Sequence, residues 1–189
     1  RIASLRNQMA AEIGIVLPKV RVRDDATLPN QAYEIRLFGD FVAQGELRVD
    51  KLLARGNGST TGTLPGEPES GDGSSVWIDA GQREQALIYG FKTHTAPAVL
   101  ADHLEQVARS HADELLSHDA TKHLLDELRE VAPAMIESLI PNRLTISDVQ
   151  RVLQGLLREA IPIRQLGIII EALGDAATHS DDPDVFIEH

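Results

Sequence analysis

Five of the seven histidines fall between His94 and His123. Imidazole binds metals and moves protons near neutral pH, so the spacing of these residues matters first. His103, His111 and His118 lie near two helical turns apart and would share a side of one unbroken helix. A zinc site on a single helix wants two histidines four apart around a glutamate, and that pattern is absent. Surface or boundary histidines are the ordinary alternative. Carboxylates are plentiful: Asp24, Asp25, Glu67, Glu69, Asp72, Asp79, Asp113 and Glu114. Paired acids do general acid–base work only where a pocket drives their pKa values apart, and a solvated acidic surface is their common role. No serine stands in a Gly-x-Ser-x-Gly elbow, which leaves nucleophilic catalysis without support. The stretch 56–75, GNGSTTGTLPGEPESGDGSS, is rich in glycine, but no Gly-Lys-Ser/Thr closes it as a phosphate loop. It reads either as a long surface connection or as a binding loop. Nothing asks for a cofactor or a metal. By elimination, a binding or scaffolding module is expected rather than an enzyme.

The totals narrow the class further. A chain of 189 residues can bury a substantial core as one large domain or two small ones. Aromatics make up only 4%, so Leu, Ile, Val and Ala must fill that core. The formal net charge of -11 argues against nucleic acid as a partner, because phosphate binding depends on clustered Lys and Arg. With no cysteine, disulfides, thiolate metal sites and cysteine nucleophiles are excluded. No apolar run approaches the roughly 18 residues of a membrane span, and no signal peptide is visible. The chain opens on Arg1 inside a helical pattern and stops in a second one, so both ends are expected to be cuts in a longer protein.

The elements that must position any site follow from periodicity. Ile2, Leu5, Met9 and Ile13 predict an opening helix stopped by Gly14. Val20 and Val22 alternate with Lys19, Arg21 and Arg23 and predict a half-buried strand. Tyr33, Ile35 and Leu37 alternate again, Gly39-Asp40 is a compact turn, and 41–47 returns as the partner strand. Val76-Trp77-Ile78 is a short strand, with Trp77 expected in a core. A short helix over 82–89 ends at Gly90. A long helix is expected over 97–116, followed by helices around Leu124–Leu128 and Met135–Ile140 that stop at Pro133 and Pro141. The clearest helical pattern is the hairpin over 146–173. Its first stripe is Val149, Val152, Leu153, Leu156, Leu157 and Ala160, with Ser147 as the N-cap. Pro162 opens a second stripe of Ile163, Leu166, Ile169, Ile170 and Leu173. The chain thus reads as a mixed α/β first part to about Leu115 and a helical second part.

The polar residues inside that hairpin carry a resemblance. The block Val149-Gln-Arg-Val-Leu-Gln-Gly-Leu-Leu-Arg-Glu-Ala-Ile-Pro-Ile-Arg-Gln-Leu166, followed by Ile170-Glu-Ala-Leu173, resembles the signature of the FlhA/LcrD-type export-gate family of flagellar and virulence type III secretion systems. Gly155, Ala160, Pro162 and Gln165 stand where that family usually has Asn, Arg, Ser and Asp. Tyr33-Glu-Ile35, Gly45-Glu-Leu47, Leu64-Pro-Gly66, Val76-Trp-Ile-Asp79, Arg83-Glu-Gln85, His103-Leu104 and Asp182-Pro183 fall in the family's order. The likeness spans essentially the whole chain.

The resemblance implies an α+β fold. A first α/β subdomain would cover 1–49 and 96–115, a small inserted α/β subdomain 50–95, and a helical third 116–189. The family's fourth subdomain and its membrane domain would be missing. It also implies a non-enzymatic docking platform under the bacterial inner membrane, facing the cytoplasm, that binds export substrates and their chaperones. Other export-apparatus components would be partners, and the platform would form a homo-nonameric ring. Membrane attachment would come only through the missing N-terminal domain, with no cofactor and no nucleic acid. Flagellar membership is expected; an injectisome gate or a generic protein-binding adaptor is the alternative. The family's docking Thr, just before His-Leu, is Asp102 here. Its acidic-Pro-Ala-Phe-Gly motif before Val-Trp-Ile is replaced by Ser70-Gly-Asp-Gly-Ser-Ser75. Asp102, Ser70, Asp72 and Trp77 are therefore the partner-docking candidates. Arg151, Arg158, Glu159 and Arg164 are either a solvated helix face or contacts to neighbouring protomers that set ring register.

Overall fold

The computed structural model describes residues 2–56, 61–69 and 74–177. The fold is α+β, as expected, and clusters into two compact units, residues 1–20 with 108–189 and residues 21–107. The three-subdomain division implied by the resemblance draws its lines elsewhere and remains a proposal.

Residues 21–107 hold two small sheets. β1 (Ala32–Leu37) and β2 (Asp40–Glu46) pair antiparallel. Their turn is Phe38-Gly39, one residue earlier than expected, with φ of 53° and 106° as an inward-twisting two-residue turn needs. A bulge between Ile35 and Arg36 shifts the register near that turn. The second sheet has the order β4-β5-β3-β6, formed by Glu67–Pro68, Ser75–Asp79, Lys51–Arg55 and Lys92–Thr95. Its central strand β3 was hidden in the sequence because both of its faces are covered, so apolar residues run on without alternating. Leu53 and Trp77 pack on one face with Ala96 and Val99 of α3 (Ala96–Ser110). Ala54 and Ile78 pack on the other with Phe91 and with Ala86 of α2 (Arg83–Ile88).

The predicted strand around Val20 and Val22 does not form. The segment has no regular secondary structure and no strand partner among the described residues, and Val22 is 80% exposed. Alternation gives a strand only where a second edge lies alongside.

The other unit is helical. α1 (Ile2–Glu12) buries Leu5 and Met9, and Glu12 pairs with Arg109. The expected helix over 97–116 is broken at His111, so α4 (Ala112–Leu115) is separate from α3. α5 (His118–Val131), α6 (Pro133–Leu139), α7 (Ile146–Arg158) and α8 (Leu166–Ala176) follow. The N-cap of α7 is Thr145 rather than Ser147. Thr145 Oγ1 accepts from the Asp148 N–H at 3.2 Å, and the Asp148 carboxylate accepts the Thr145 N–H at 2.9 Å. Pro162 does not open the next helix, which starts four residues later. The elbow is made by Ala160 at φ 60°: the Ile161 N–H reaches Leu156 O at 2.8 Å and the Ala160 N–H reaches Leu157 O at 3.0 Å. The chain then runs past the end of α1, where the Ile163 N–H donates to Ile13 O at 2.7 Å. Gly14, at φ +93°, lies so close that a Cβ there would sit 2.5 Å from Arg164 N. Only glycine fits both demands.

Candidate functional site

A cleft of about 610 Å³ opens within residues 21–107. One wall is the hairpin, with Tyr33, Glu34, Gln44 and Gly45. The other is the four-stranded sheet, with Arg55, Pro68, Glu69 and Trp77. Helix α3 supplies Val99, Asp102, His103 and Gln106. The hairpin wall bonds to the helix through Tyr33, whose hydroxyl lies 2.6 Å from Nδ1 of His103. Burial first, and then the Glu69 carboxylate, push the Tyr33 phenol above its ordinary pKa, so it stays a hydrogen-bond donor at neutral pH. The sheet wall bonds to the helix through Arg55, which donates to the Asp102 carboxylate at 3.3 Å and also approaches Glu69 at 4.0 Å. Nδ1 of His94 is 3.5 Å from the same Asp102 carboxylate. A third link joins the walls directly: Arg48 donates to Glu46 at 3.2 Å and to Glu67 at 3.0 Å. Lys51 and then Arg48 hold the Glu67 carboxyl below its ordinary value.

Asp102 therefore lines the cleft, as its docking candidacy requires, but it is already engaged by Arg55 and His94. Trp77 belongs to the sheet wall but is set into the core beneath it. It is 3% exposed in the core with Leu53 and Val99, which agrees with its expected core role and leaves little of it to meet a partner. Ser70 and Asp72 lie outside the described residues. Sequence reasoning missed Tyr33, Gly45 and His103 as a group, although each sits in a motif that carried the resemblance.

Among the described residues the histidines do not gather into one cluster. His111 pairs with Glu114 at 2.8 Å and His123 with Glu127 at 3.4 Å, and the helix break at His111 removes the shared side expected for 103, 111 and 118. Among the described residues no group of three His, Asp or Glu could hold a metal ion. Several of the noted carboxylates have structural partners: Asp25 accepts from Thr27, Asp79 caps the turn before α2, and Asp113 pairs with Arg158 at 3.2 Å.

The FHIPEP family pattern matches residues 1–189, the whole chain. The chain belongs to the FHIPEP family. It is 37% identical over 186 residues to the flagellar biosynthesis protein FlhA of Yersinia enterocolitica, covering 97% of this chain and 27% of that protein. The chain thus spans about a quarter of the length of the curated relatives it matches. In fold it resembles the Chlamydia pneumoniae CdsV protein, with a TM-score of 0.85 at 20% identity over 99% of this chain and 56% of that one. A structure of CdsV with CdsO is similar as well. So is the nonameric SctV-C of EPEC, with a TM-score of 0.73 at 22% identity over 99% of this chain and 57% of that one.

Within this FHIPEP chain the signature residues of α7 have local partners. Gln150 Nε2 donates to Leu116 O at 3.0 Å, and Gln154 Nε2 donates to Asp113 O at 3.1 Å and Leu116 O at 3.2 Å. Both side chains donate to carbonyls at the end of α4, where Asp113 O also accepts the Leu116 N–H at 3.3 Å. Arg158, a ring-contact candidate, reaches the Asp113 carboxylate from the same face while staying 69% exposed. Arg151, Glu159 and Arg164 are exposed.

Proposed function

We propose that this chain is part of the cytosolic docking platform of a bacterial flagellar type III export gate. The family match over all 189 residues carries the reading. The flagellar reading is supported by 37% identity to a flagellar relative, against 20–22% for the reported CdsV and SctV structures. An injectisome gate is the second reading, favoured by the fold likeness to CdsV and SctV. The platform would act by docking export substrates and chaperone–substrate complexes in the cleft beside Asp102, as a binding module rather than an enzyme. Its partners would include other export components, as CdsO is for CdsV. Copies would close into a ring like that of the nonameric SctV-C, so that weak contacts act together. No helix of the described residues is long and apolar enough to cross a membrane. Attachment to the inner membrane would come from a separate domain of the full protein.

Mixing the chain with flagellar filament-type chaperone–substrate complexes tests the docking. Saturable capture, weakened by substitutions in the cleft wall, is the expected result. No capture by the unaltered chain at high micromolar concentration would sink the docking reading. The gene sequence upstream of Arg1 should encode several membrane spans, and a soluble upstream domain would remove the export gate.

A further inference from the structure

Tyr33, Gly45 and His103 come from three motifs far apart in the sequence and meet in the cleft. Tyr33 stands directly opposite Gly45 in the β1–β2 ladder. A Cβ at position 45 would lie 2.5 Å from the Tyr33 hydroxyl oxygen and 2.7 Å from the ring carbon that bears it. The absence of a side chain there lets the ring lie across β2. From that position the hydroxyl reaches Nδ1 of His103, and the two rings meet edge-on with centroids 5.7 Å apart. The preceding residue, Asp102, bonds instead to Arg55 on β3. Two adjacent residues of α3 thus hold two different walls. One bond is between part-buried side chains, and the other is an exposed ion pair.

We propose that Asp102 and His103 are a positioning pair for the cleft. His103, through Tyr33, ties the hairpin to α3; Asp102, through Arg55, ties the four-stranded sheet to it. A docking partner meets a gap whose width these two ties set. The proposal rests on the docking reading and deepens it. Asp102 is a tie between walls, not a contact for the partner. Arg48, which joins the walls directly, is kept in every variant below, so each one loses a single tie.

The test uses the 189-residue chain carrying Tyr33→Phe, His103→Leu, both together, or His103→Asn, whose amide can take the place of Nδ1. Two quantities are measured: amide hydrogen exchange over residues 33–46 in the free protein, and capture of a filament-type chaperone–substrate complex. Tyr33→Phe and His103→Leu should each speed hairpin exchange and weaken capture about fivefold, the effect of one net hydrogen bond. The double variant should lose no more than either single one, and His103→Asn should restore both readouts. Unchanged hairpin exchange in both single variants overturns the tie. So do losses that multiply in the double variant, because one bond is lost only once. The same cycle on Arg55→Leu and Asp102→Leu reads the second tie. A capture loss in Asp102→Leu with none in the Arg55→Leu, His94→Leu double variant, which removes both sheet partners of Asp102, makes Asp102 a partner contact and overturns its positioning role. If the unaltered chain captures nothing, the docking reading falls, and the exchange result still decides the tie.

Discussion

Asp148 shows how one carboxylate can serve local structure in an acidic chain. The Thr145 hydroxyl, and then its backbone N–H, hold the Asp148 carboxyl below its ordinary value of 3.8. In the unfolded chain the group protonates near that ordinary value, whereas in the fold it resists. The stabilisation is therefore present above about pH 4 and is lost as pH falls through the lower folded value. Asp148→Asn should cost about 1 kcal/mol at pH 7, the usual effect of losing a cap, and the difference from wild type should vanish in acid. Urea melts at a series of pH values check this; a constant difference down to pH ~2 would show that the charge is irrelevant. Ala160 carries the opposite kind of signal. A left-handed alanine costs about 1–2 kcal/mol, and glycine returns part of that to the freer unfolded chain. Ala160→Gly should stabilise the chain by roughly 0.5–1 kcal/mol, seen as a higher melting temperature. A lower one would mean that the side chain packs in a way its exposure does not suggest.

Among the elements, α7 does more than bury an apolar stripe. Val149, Val152, Leu153 and Leu157 are buried, and Gln150, Gln154 and Arg158 all reach residues 113–116. The end of α4 is thus finished by side chains from a helix about forty residues later. Gln154→Leu leaves the Asp113 carbonyl without that donor, while Gln150 still serves Leu116 O. A loss of about 1–2 kcal/mol is expected, as a lower urea midpoint at unchanged slope. Amide exchange should quicken over 112–116. If exchange there stays at the wild-type rate, the two glutamines are ornament and not a clamp. Arg158→Ala should matter less, because its pair with Asp113 is largely solvated.

At the level of the assembly, Arg151, Arg158, Glu159 and Arg164, exposed on α7 and the segment after it, are the proposed ring contacts. Arg164 is the sharpest test, since its side chain is exposed while the backbone beside it packs on Gly14. Arg164→Glu should leave the unfolding free energy of this chain within about 0.5 kcal/mol of wild type, as surface substitutions do. In the proposed ring of the full-length protein it should shift the extracted complex to smaller assemblies, more so at low salt, because such contacts are screened. An unchanged complex size would remove Arg164 from the interface.

Much of the helical unit was legible along the chain. A period of 3.6 survives in any helix that buries one side, so Val149 to Leu157 announce their stripe whatever they pack against. Motif order was equally local, and it placed the family before any coordinate was known. The two-residue turn and the hairpin followed from alternation, to within one residue. Other features depended on neighbours distant in sequence. β3 shows no alternation because α2 and α3 cover both faces of its sheet, while the stretch around Val22 alternates without a partner strand. Trp77 was placed in a core, but that its strand also walls the cleft required the assembled sheet. Asp102 looked like an open docking residue until Arg55 and His94 were beside it. Tyr33, Gly45 and His103 share no periodicity that a sequence could show. Periodicity and motif order are properties of consecutive residues, whereas hydrogen bonds such as Tyr33 to His103, seventy positions apart, exist only when folding brings their partners together.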